Sequence, residues 1–167
     1  MKLASILSRY HVTSIWHFTD KSNYSSIQKH GLLCLDYIVK KGVNVNCYGG
    51  NALSHDLDRR NGLHRYVHAA FIPKHPMLYT KKRSGEIKNP IWLKIDVRVL
   101  FNPSVLFCDQ IANASNATLF YADMLDKRIN LDVLYTDFSY GAKETQKAQI
   151  LIPKMIPLNF IQGVYCA

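Results

Sequence analysis

The sequence predicts one α+β domain, spanning residues 1–167, in which mixed or antiparallel sheets carry short flanking helices. Hydrophobic residues make up 48% of the chain and aromatic residues 11%. A chain of 167 residues with this composition can bury one sizeable core. Seven segments rich in β-branched and aromatic residues predict strands. Because helical segments do not alternate regularly with them, a doubly wound parallel sheet is disfavoured.

The first predicted strand and helix lie close to the N-terminus. SIWHFT, residues 14–19, has strand-forming residues and is followed by the polar Asp20. SNYSSIQKHG, residues 22–31, then predicts a helix, with Ser22 as its N-terminal cap and Gly31 as its C-terminal stop. The unit is therefore strand, turn and helix.

The later elements follow from the same patterns. Residues 32–61 have only weak patterns of helix or strand. Within them, KKGVNVNCYGGN, residues 40–51, is rich in glycine and asparagine. We expect it to be a surface loop that covers a ligand. Pro76 suits the first turn of a helix over residues 76–82, and a second helix is predicted over residues 116–125. Strands are predicted over residues 66–72, 91–100, 105–109, 131–136, 150–152 and 161–166.

Charge and cysteine usage limit the class of protein. The chain has 21 Lys and Arg against 12 Asp and Glu, a net charge of +9. This favours a polyanionic partner such as nucleic acid or a phosphate-bearing ligand, although a basic surface without such a partner gives the same count. The sequence lacks an apolar run of the ~20 residues that a bilayer span needs and a secretory signal, so we expect a cytoplasmic protein. The cysteines have no C-x-x-C spacing and predict buried thiols: Cys34, Cys47, Cys108 and Cys166.

Neither a metal site nor a common phosphate-binding motif is supported. His64 and His68 are four residues apart, but their segment leads into a predicted strand, where this spacing does not bring two side chains together. We therefore expect no metal. The motifs G-x-x-x-x-G-K-[ST], G-x-G-x-x-G and G-x-S-x-G are absent from the sequence. Any nucleotide site must be built in another way.

Three segments carry side chains that suit a nucleotide or nucleic acid. In HFTD, residues 17–20, an imidazole and a hydroxyl could bind a ligand amide or ribose, although the chemistry alone favours a purely structural role. LDRRNG, residues 57–62, offers two guanidinium groups to a diphosphate, or else a solvated surface pair. FIPKHPMLYTKKR, residues 71–83, mixes cations with apolar and aromatic groups, which suits a nucleic acid single strand and equally an amphipathic surface.

Three longer segments, taken in order, resemble the DarT family of DNA ADP-ribosyltransferase toxins. They are WHFTDKSNYSSIQKHGLLC, SHDLDRRNGLHRYVHAAFIPKHPMLY and QKAQILIPKMIPLNFI. The resemblance implies an ADP-ribosyltransferase-like fold with a central NAD cleft. It implies NAD as co-substrate, no metal, and transfer of ADP-ribose to a base of single-stranded DNA. It also implies a macrodomain antitoxin of the DarG kind as a partner.

The resemblance assigns roles to five residues. The family's H-[FI]-T motif, which binds nicotinamide, falls on His17, Phe18 and Thr19. Its essential arginine, the second of an Arg-Arg pair, falls on Arg60, which would hold the phosphates or ribose of NAD and act in catalysis. Its catalytic glutamate, which opens a late strand, falls on Gln149.

Gln149 is therefore an amide where the family has a carboxylate. Cleavage of the bond between nicotinamide and ribose develops positive charge that an anion stabilises, and glutamine supplies neither the charge nor a proton acceptor. We prefer the interpretation that the glutamate was deliberately replaced to obtain a harmless protein. The alternatives are a natural relative that binds NAD or nucleic acid without turnover, and a transferase that acts on RNA or protein.

The resemblance also implies where DNA would bind. The family's DNA-contacting positions fall on Lys74 and Met77. The loop over residues 137–145 would hold the acceptor base, with Tyr140 and Lys143 as its contacts.

The chain departs from the family near these DNA-facing elements. HAAF, residues 68–71, replaces a PFYF-like sequence, and Asn116 stands where some members carry histidine. Thymine and guanine are therefore both open as the acceptor base.

Overall fold

The computed structural model describes residues 2–48, 52–136 and 142–167. Its elements are short, and strands and helices are interspersed along the chain. The helices are α1 Leu3–Arg9, α2 Tyr24–His30, α3 Leu35–Lys41, α4 Ala52–Arg60, α5 Pro76–Arg83, α6 Leu125–Arg128, α7 Leu131–Tyr135 and α8 Ala142–Thr145. The strands are β1 Ser14–Asp20, β2 Leu32–Leu33, β3 Tyr66–Ala70, β4 Pro90–Asp96, β5 Leu106–Cys108, β6 Leu119–Phe120, β7 Gln149–Pro153, β8 Met155–Ile156 and β9 Ile161–Cys166.

An antiparallel sheet organises the described part of the chain. Its strands run in the order β6-β5-β7-β3-β1-β4-β9, and β2 pairs separately with β8. Gln149 lies between its partners Ala70 on β3 and Cys108 on β5, while His17 on β1 pairs with Leu93 on β4. The fold is therefore α+β with antiparallel sheets, which confirms the predicted class.

The core lies against this sheet because its strands place β-branched and aromatic side chains on a buried face. Ile15, Leu93, Ile95, Phe107 and Ile150 are completely buried. Each such side chain contributes roughly 1.5–3 kcal/mol to stability through removal of its apolar surface from water. This burial fixes the register of the central strands, since a shift of one residue would turn every core side chain to the other face.

The turn after β1 is held by Asp20 and not by the predicted cap Ser22. The Asp20 carboxylate accepts hydrogen bonds from the main-chain N–H groups of Ser22, Lys88 and Asn89 at 2.9–3.0 Å. Burial alone would raise the pKa of Asp20, but these N–H donors outweigh it and lower the pKa to about 2.

Gly31 ends α2 as predicted. Its φ of 77° lies in the left-handed region that favours glycine, and an added Cβ would lie 2.9 Å from the carbonyl oxygen of Ile156. A side chain at this position would therefore have to displace the backbone of β8.

The structure corrects two predicted elements. Residues 131–136 were expected to be a strand but form α7, because the Asn130 side chain caps the helix by accepting from the N–H of Val133, and Leu131 and Leu134 share a buried face. The helix expected over residues 116–125 is also wrong. There, Leu119 and Phe120 pair with β5, and helical turns begin only at Ala122.

Besides α7, five helices of the described residues were not predicted: α1, α3, α4, α6 and α8. α1 precedes the first strand, and β2, α3 and α4 lie in the stretch 32–61, where the sequence patterns were weak and a loop was expected over residues 40–51. In addition, the strand expected over residues 91–100 ends at Asp96, whose carboxylate accepts from the N–H of Arg98 and starts a 3₁₀ helix. Local polar capping therefore overrides the strand propensity of the residues that follow.

The cysteines are only partly buried. Cys34 and Cys108 lie in the core, Cys47 is half-buried, and Cys166 is exposed at the end of β9, which contradicts the expectation for that residue. None of the helices in residues 2–48, 52–136 and 142–167 has both the length and the apolar character needed to cross a membrane.

Candidate functional site

A cavity of about 240 Å³ lies beside β1, β3 and the first residue of β7. Helices α2, α3 and α4 and the loop after β5 contribute further walls. The lining combines apolar side chains with six histidines and a few other polar groups. The polar lining residues are His17, Thr19, Asn23, Ser26, His30, Cys47, Tyr48, Ser54, His55, Asp58, His64, Tyr66, His68, His75, Asn113 and Gln149.

His17 is held as a neutral ring with a defined tautomer. Its Nδ1 is 2.7 Å from the carbonyl oxygen of His68, which can only accept, so Nδ1 donates and Nε2 remains an acceptor. Burial lowers the pKa of His17 to about 4, and the bond to His68 opposes this only in part. His17 lines the cavity, so a ligand there can use its Nε2 as a hydrogen-bond acceptor.

Asn23 ties the start of α2 to the chain that borders the cavity. Its Nδ2 donates to Thr19 Oγ1 at 3.1 Å and to the carbonyl oxygen of Cys47. Its Oδ1 accepts from the N–H groups of Asn46 at 3.0 Å and Cys47 at 3.1 Å. Both donors and both acceptor positions of this buried amide are therefore used. Val43, which precedes these residues, also lines the cavity.

Gln149 has hydrogen-bond partners on both sides of its amide. Its Oε1 accepts from the N–H of Ala112 at 3.0 Å, and its Nε2 lies 3.4 Å from the Sδ of Met77. The side chain is buried, and β7 positions it between β3 and β5. The amide is thereby fixed with its nitrogen toward α5.

His75 caps the N-terminus of α5, because its Nδ1 accepts from the N–H of Met77 at 3.2 Å. The proton of the neutral ring is therefore on Nε2, which is buried without a partner in hydrogen-bond geometry. Burial lowers the pKa of His75 to about 4, and the main chain of Lys147 counteracts this weakly. His75 thus stays uncharged beside Phe18, whose ring centroid is 6.3 Å away.

Helix α4 turns Ser54, His55 and Asp58 toward the cavity. This spacing corresponds to one helical face. Asp58 Oδ1 accepts from the Nδ2 of Asn113 at 3.4 Å, which links α4 to the loop after β5. Burial lowers the pKa of His55.

The structure brings together five of the nine site residues expected from the sequence. His17, Phe18, Thr19, Met77 and Gln149 all line the cavity.

The other four expected site residues are not among the described residues that line the cavity. Arg60 is exposed at the last position of α4, two residues beyond Asp58 and therefore on another face of the helix. Lys74 and Lys143 are exposed and likewise absent from the described lining, and Tyr140 lies outside the described residues.

Sequence reasoning missed Asn23, Asp58 and His75. A helical prediction for residues 52–60 would have placed Ser54 and Asp58 on one face, but the polar composition there gave no apolar stripe. Asn23 and His75 are recognisable only through contacts with segments distant in the sequence.

The described residues offer no set of side chains that could hold a metal ion. Within residues 2–48, 52–136 and 142–167, no group of three or more His, Cys, Asp or Glu side chains is placed to hold an ion. His68 Nε2 instead lies 3.2 Å from the carbonyl oxygen of Leu63, to which it donates.

Solved structures with the same architecture come from Thermosipho africanus and Thermus sp. 2.9. Thermosipho africanus DarTG in complex with ADP-ribose has a TM-score of 0.75 at 19% identity, covering 93% of this chain and 44% of that chain. Thermus sp. 2.9 DarT in complex with ADP-ribosylated ssDNA has a TM-score of 0.72 at 20% identity, covering 92% of this chain and 81% of that chain. Its complex with NAD⁺ has a TM-score of 0.64 at 20% identity, with the same coverage.

This chain thus spans less than half of the Thermosipho chain. No curated protein matches it. The family model described as "ssDNA thymidine ADP-ribosyltransferase, DarT" matches residues 16–167, which include the three segments that carry the resemblance. The cavity-lining residues of β1, β3, α5 and β7 all fall within that match. The chain belongs to the DarT family.

Proposed function

We propose that this chain binds NAD in the cavity and transfers ADP-ribose to a base of single-stranded DNA, with a rate limited by the amide at position 149. The supporting observation is that His17, Thr19 and Gln149, which are distant in sequence, line one cavity. Family membership supports the reaction class. The Thermus structures with NAD⁺ and with ADP-ribosylated ssDNA show both ligands in a related protein.

His17 and Thr19 suit the carboxamide of nicotinamide. The acceptor Nε2 of His17 can receive the amide N–H, because its Nδ1 proton is used by the His68 carbonyl. Thr19 Oγ1 accepts from Asn23, so its own O–H is available to donate to the amide oxygen. Two hydrogen bonds of opposite polarity would fix the orientation of the nicotinamide ring.

Arg60 is proposed to hold the diphosphate. It ends the helix whose Asp58 lines the cavity, and it carries the planar guanidinium that matches phosphate geometry. Arg60 is exposed and outside the described lining, so it would hold the diphosphate outside the cavity. Diphosphate at this outer position would leave the nicotinamide half within the cavity.

Gln149 is proposed to limit turnover. At this position a carboxylate would stabilise the ribosyl cation and accept the proton of the base, whereas the amide can only hydrogen-bond. The codon at position 149 in the source genome would distinguish a deliberate replacement from a natural variant.

The DNA strand is proposed to follow Lys74 and Met77 toward the cavity, with Tyr140 and Lys143 contacting the acceptor base. Met77 supports this route because it lines the cavity and contacts Gln149. The family description names thymidine, while HAAF at residues 68–71 and Asn116 depart from the family sequence near the proposed DNA path. The experiment therefore offers both thymine and guanine as acceptor bases.

The deciding experiment compares the chain as it stands with Gln149→Glu, each incubated with NAD and oligonucleotides of mixed sequence. Mass spectrometry should find an ADP-ribose adduct on one base, formed about 100-fold faster by Gln149→Glu. His17→Ala in the Gln149→Glu background is the matched control and should lose the adduct. If Gln149→Glu forms no adduct on any base, DNA transfer is wrong, and RNA and protein acceptors added in competition identify another substrate class.

A second function is binding without turnover, and the hydrogen bonds of Gln149 favour it. Its Oε1 and Nε2 both have partners, Ala112 and Met77, so the site already suits an amide. This function predicts NAD binding in calorimetry together with no adduct from either protein. An adduct from Gln149→Glu would exclude it.

We further propose a macrodomain antitoxin of the DarG kind as the partner. The support is the Thermosipho structure, which is of DarTG and whose chain is more than twice as long as the part that this chain covers. Inspection of the neighbouring reading frame for a macrodomain would test it.

A further inference from the structure

Asp58 gives the cavity its charge. Of the described residues that line the cavity, Asp58 alone carries a carboxylate, and none is lysine or arginine. His17 and His75 stay neutral above a pKa of about 4 because they are buried. The described lining therefore holds one acid and no lysine or arginine, within a chain whose net charge is +9.

Asp58 and Gln149 both accept hydrogen bonds from the same short segment of the loop after β5. Gln149 accepts from the main-chain N–H of Ala112, and Asp58 accepts from the side chain of Asn113, the next residue. Two adjacent residues thus connect the carboxylate on α4 with the amide on β7. The carboxylate is half-buried, so its charge is less screened than that of an exposed acid.

The charge distribution of NAD fits this arrangement. The nicotinamide ring carries a positive charge when it is bonded to ribose, and this charge passes to the ribose as the bond breaks. An anion in the cavity attracts the positively charged nicotinamide ring and stabilises the positive charge that develops on the ribose. The diphosphate, which an acid would repel, would remain outside near Arg60.

We propose that Asp58 is the catalytic carboxylate of this chain and supplies the charge that Gln149 lacks. This inference rests on the proposed function and concerns the same site. The bond between C1′ of the ribose and the nicotinamide nitrogen breaks, and its electron pair stays on neutral nicotinamide. The acceptor, a base nitrogen or water, forms a new bond to C1′ and releases its proton to solvent, while Asp58 remains ionised.

Asp58→Asn tests the charge with little change of shape. Nicotinamide release from NAD, measured by liquid chromatography, should fall at least about tenfold in kcat. Asp56→Asn is the matched control: Asp56 is on the same helix, exposed, and paired with Arg59 at 3.5 Å, and its replacement should change kcat less than twofold. Asp58→Glu, which keeps the charge, should retain more activity than Asp58→Asn.

Two results would overturn the assignment. One is equal kcat for Asp58→Asn and Asp56→Asn in folded proteins, checked by thermal unfolding. The other is that the unaltered chain binds NAD but releases no nicotinamide, while Gln149→Glu does. In that case the proposed transferase function stands without Asp58. If calorimetry finds no NAD binding by any variant, the proposed function itself fails, and the two failures are thereby distinguished.

Discussion

His17 and His75 remain uncharged at neutral pH because burial disfavours their charged forms, and their neutral forms have specific hydrogen-bond roles. Their pKa values of about 4 lie below the value near 6.5 of an unfolded histidine. As the pH falls below 6.5, the unfolded chain takes up protons that the folded chain does not. The free energy of unfolding therefore decreases between pH 6.5 and 4, by up to about 3 kcal/mol for each ring.

His75→Asn should weaken this pH dependence. Asparagine can accept the N–H of Met77 as a helix cap but does not titrate in this range. The free energy of unfolding, measured by urea denaturation, should therefore fall less between pH 6.5 and 4.5 in the variant than in the unaltered chain. His11→Asn, at an exposed position outside the cavity, is the matched control for a histidine-to-asparagine change, and His75→Asn should reduce the slope more than this control. The same slope in His75→Asn and the unaltered chain would contradict this account.

At the scale of elements, residues 42–48, which follow α3, are anchored to other parts of the chain and are not merely a loop over the cavity. Asn23, at the entry to α2, holds Asn46 and Cys47 through their main-chain groups. The thiol of Cys47 also donates to the carbonyl oxygen of Glu86 at 2.8 Å. These contacts position the segment along the cavity and connect it to Thr19.

Asn23→Ala should release this segment. The variant leaves the N–H groups of the exposed Asn46 and the half-buried Cys47 without their acceptor. A polar group that is left unsatisfied in the protein interior costs about 1–3 kcal/mol, so the loss should be larger at Cys47. Hydrogen exchange at these amides should be faster, and NAD binding in calorimetry should weaken by about tenfold. Asn46→Ala is the control, since it removes only a side-chain bond to the Ser22 carbonyl and keeps the main-chain donor. Unchanged exchange in Asn23→Ala would show that the segment is held by other contacts.

For the whole molecule, the charges are separated: the net charge is +9, yet the described lining of the cavity contains no lysine or arginine. In the proposed function, the basic side chains therefore contact the DNA from outside the cavity. A single strand would make phosphate contacts on the outer surface and insert one base toward Gln149. Such contacts release counterions and make binding depend on salt.

Lys74→Gln should reduce the salt dependence of oligonucleotide binding. Loss of one phosphate contact lowers the slope of log K against log salt by about 0.7 for a single strand, with similar weakening for different sequences. Fluorescence anisotropy at several salt concentrations measures this slope. Lys127→Gln, on an exposed face of α6 and away from the cavity lining, should leave it unchanged. Equal slopes for the two variants would remove Lys74 from the DNA path.

The sequence by itself determined the fold class, most strands and several cavity residues. β-branched runs set β1, β3 and β7, and the resemblance identified His17, Thr19 and Gln149 through local motifs. The strand predictions succeeded because strand propensity is a local property of the chain, and the motifs that the resemblance uses are equally local. Family membership followed from the same segments in their order.

Only the tertiary structure decided which side chains meet. Residues 131–136 have strand propensity, but the Asn130 cap and the burial of Leu131 and Leu134 make them a helix. Asp58 faces the cavity while Arg60 does not, because α4 packs one of its faces toward the cavity. Burial, helix orientation and hydrogen bonds between distant segments depend on the whole folded chain, and no local pattern contains them.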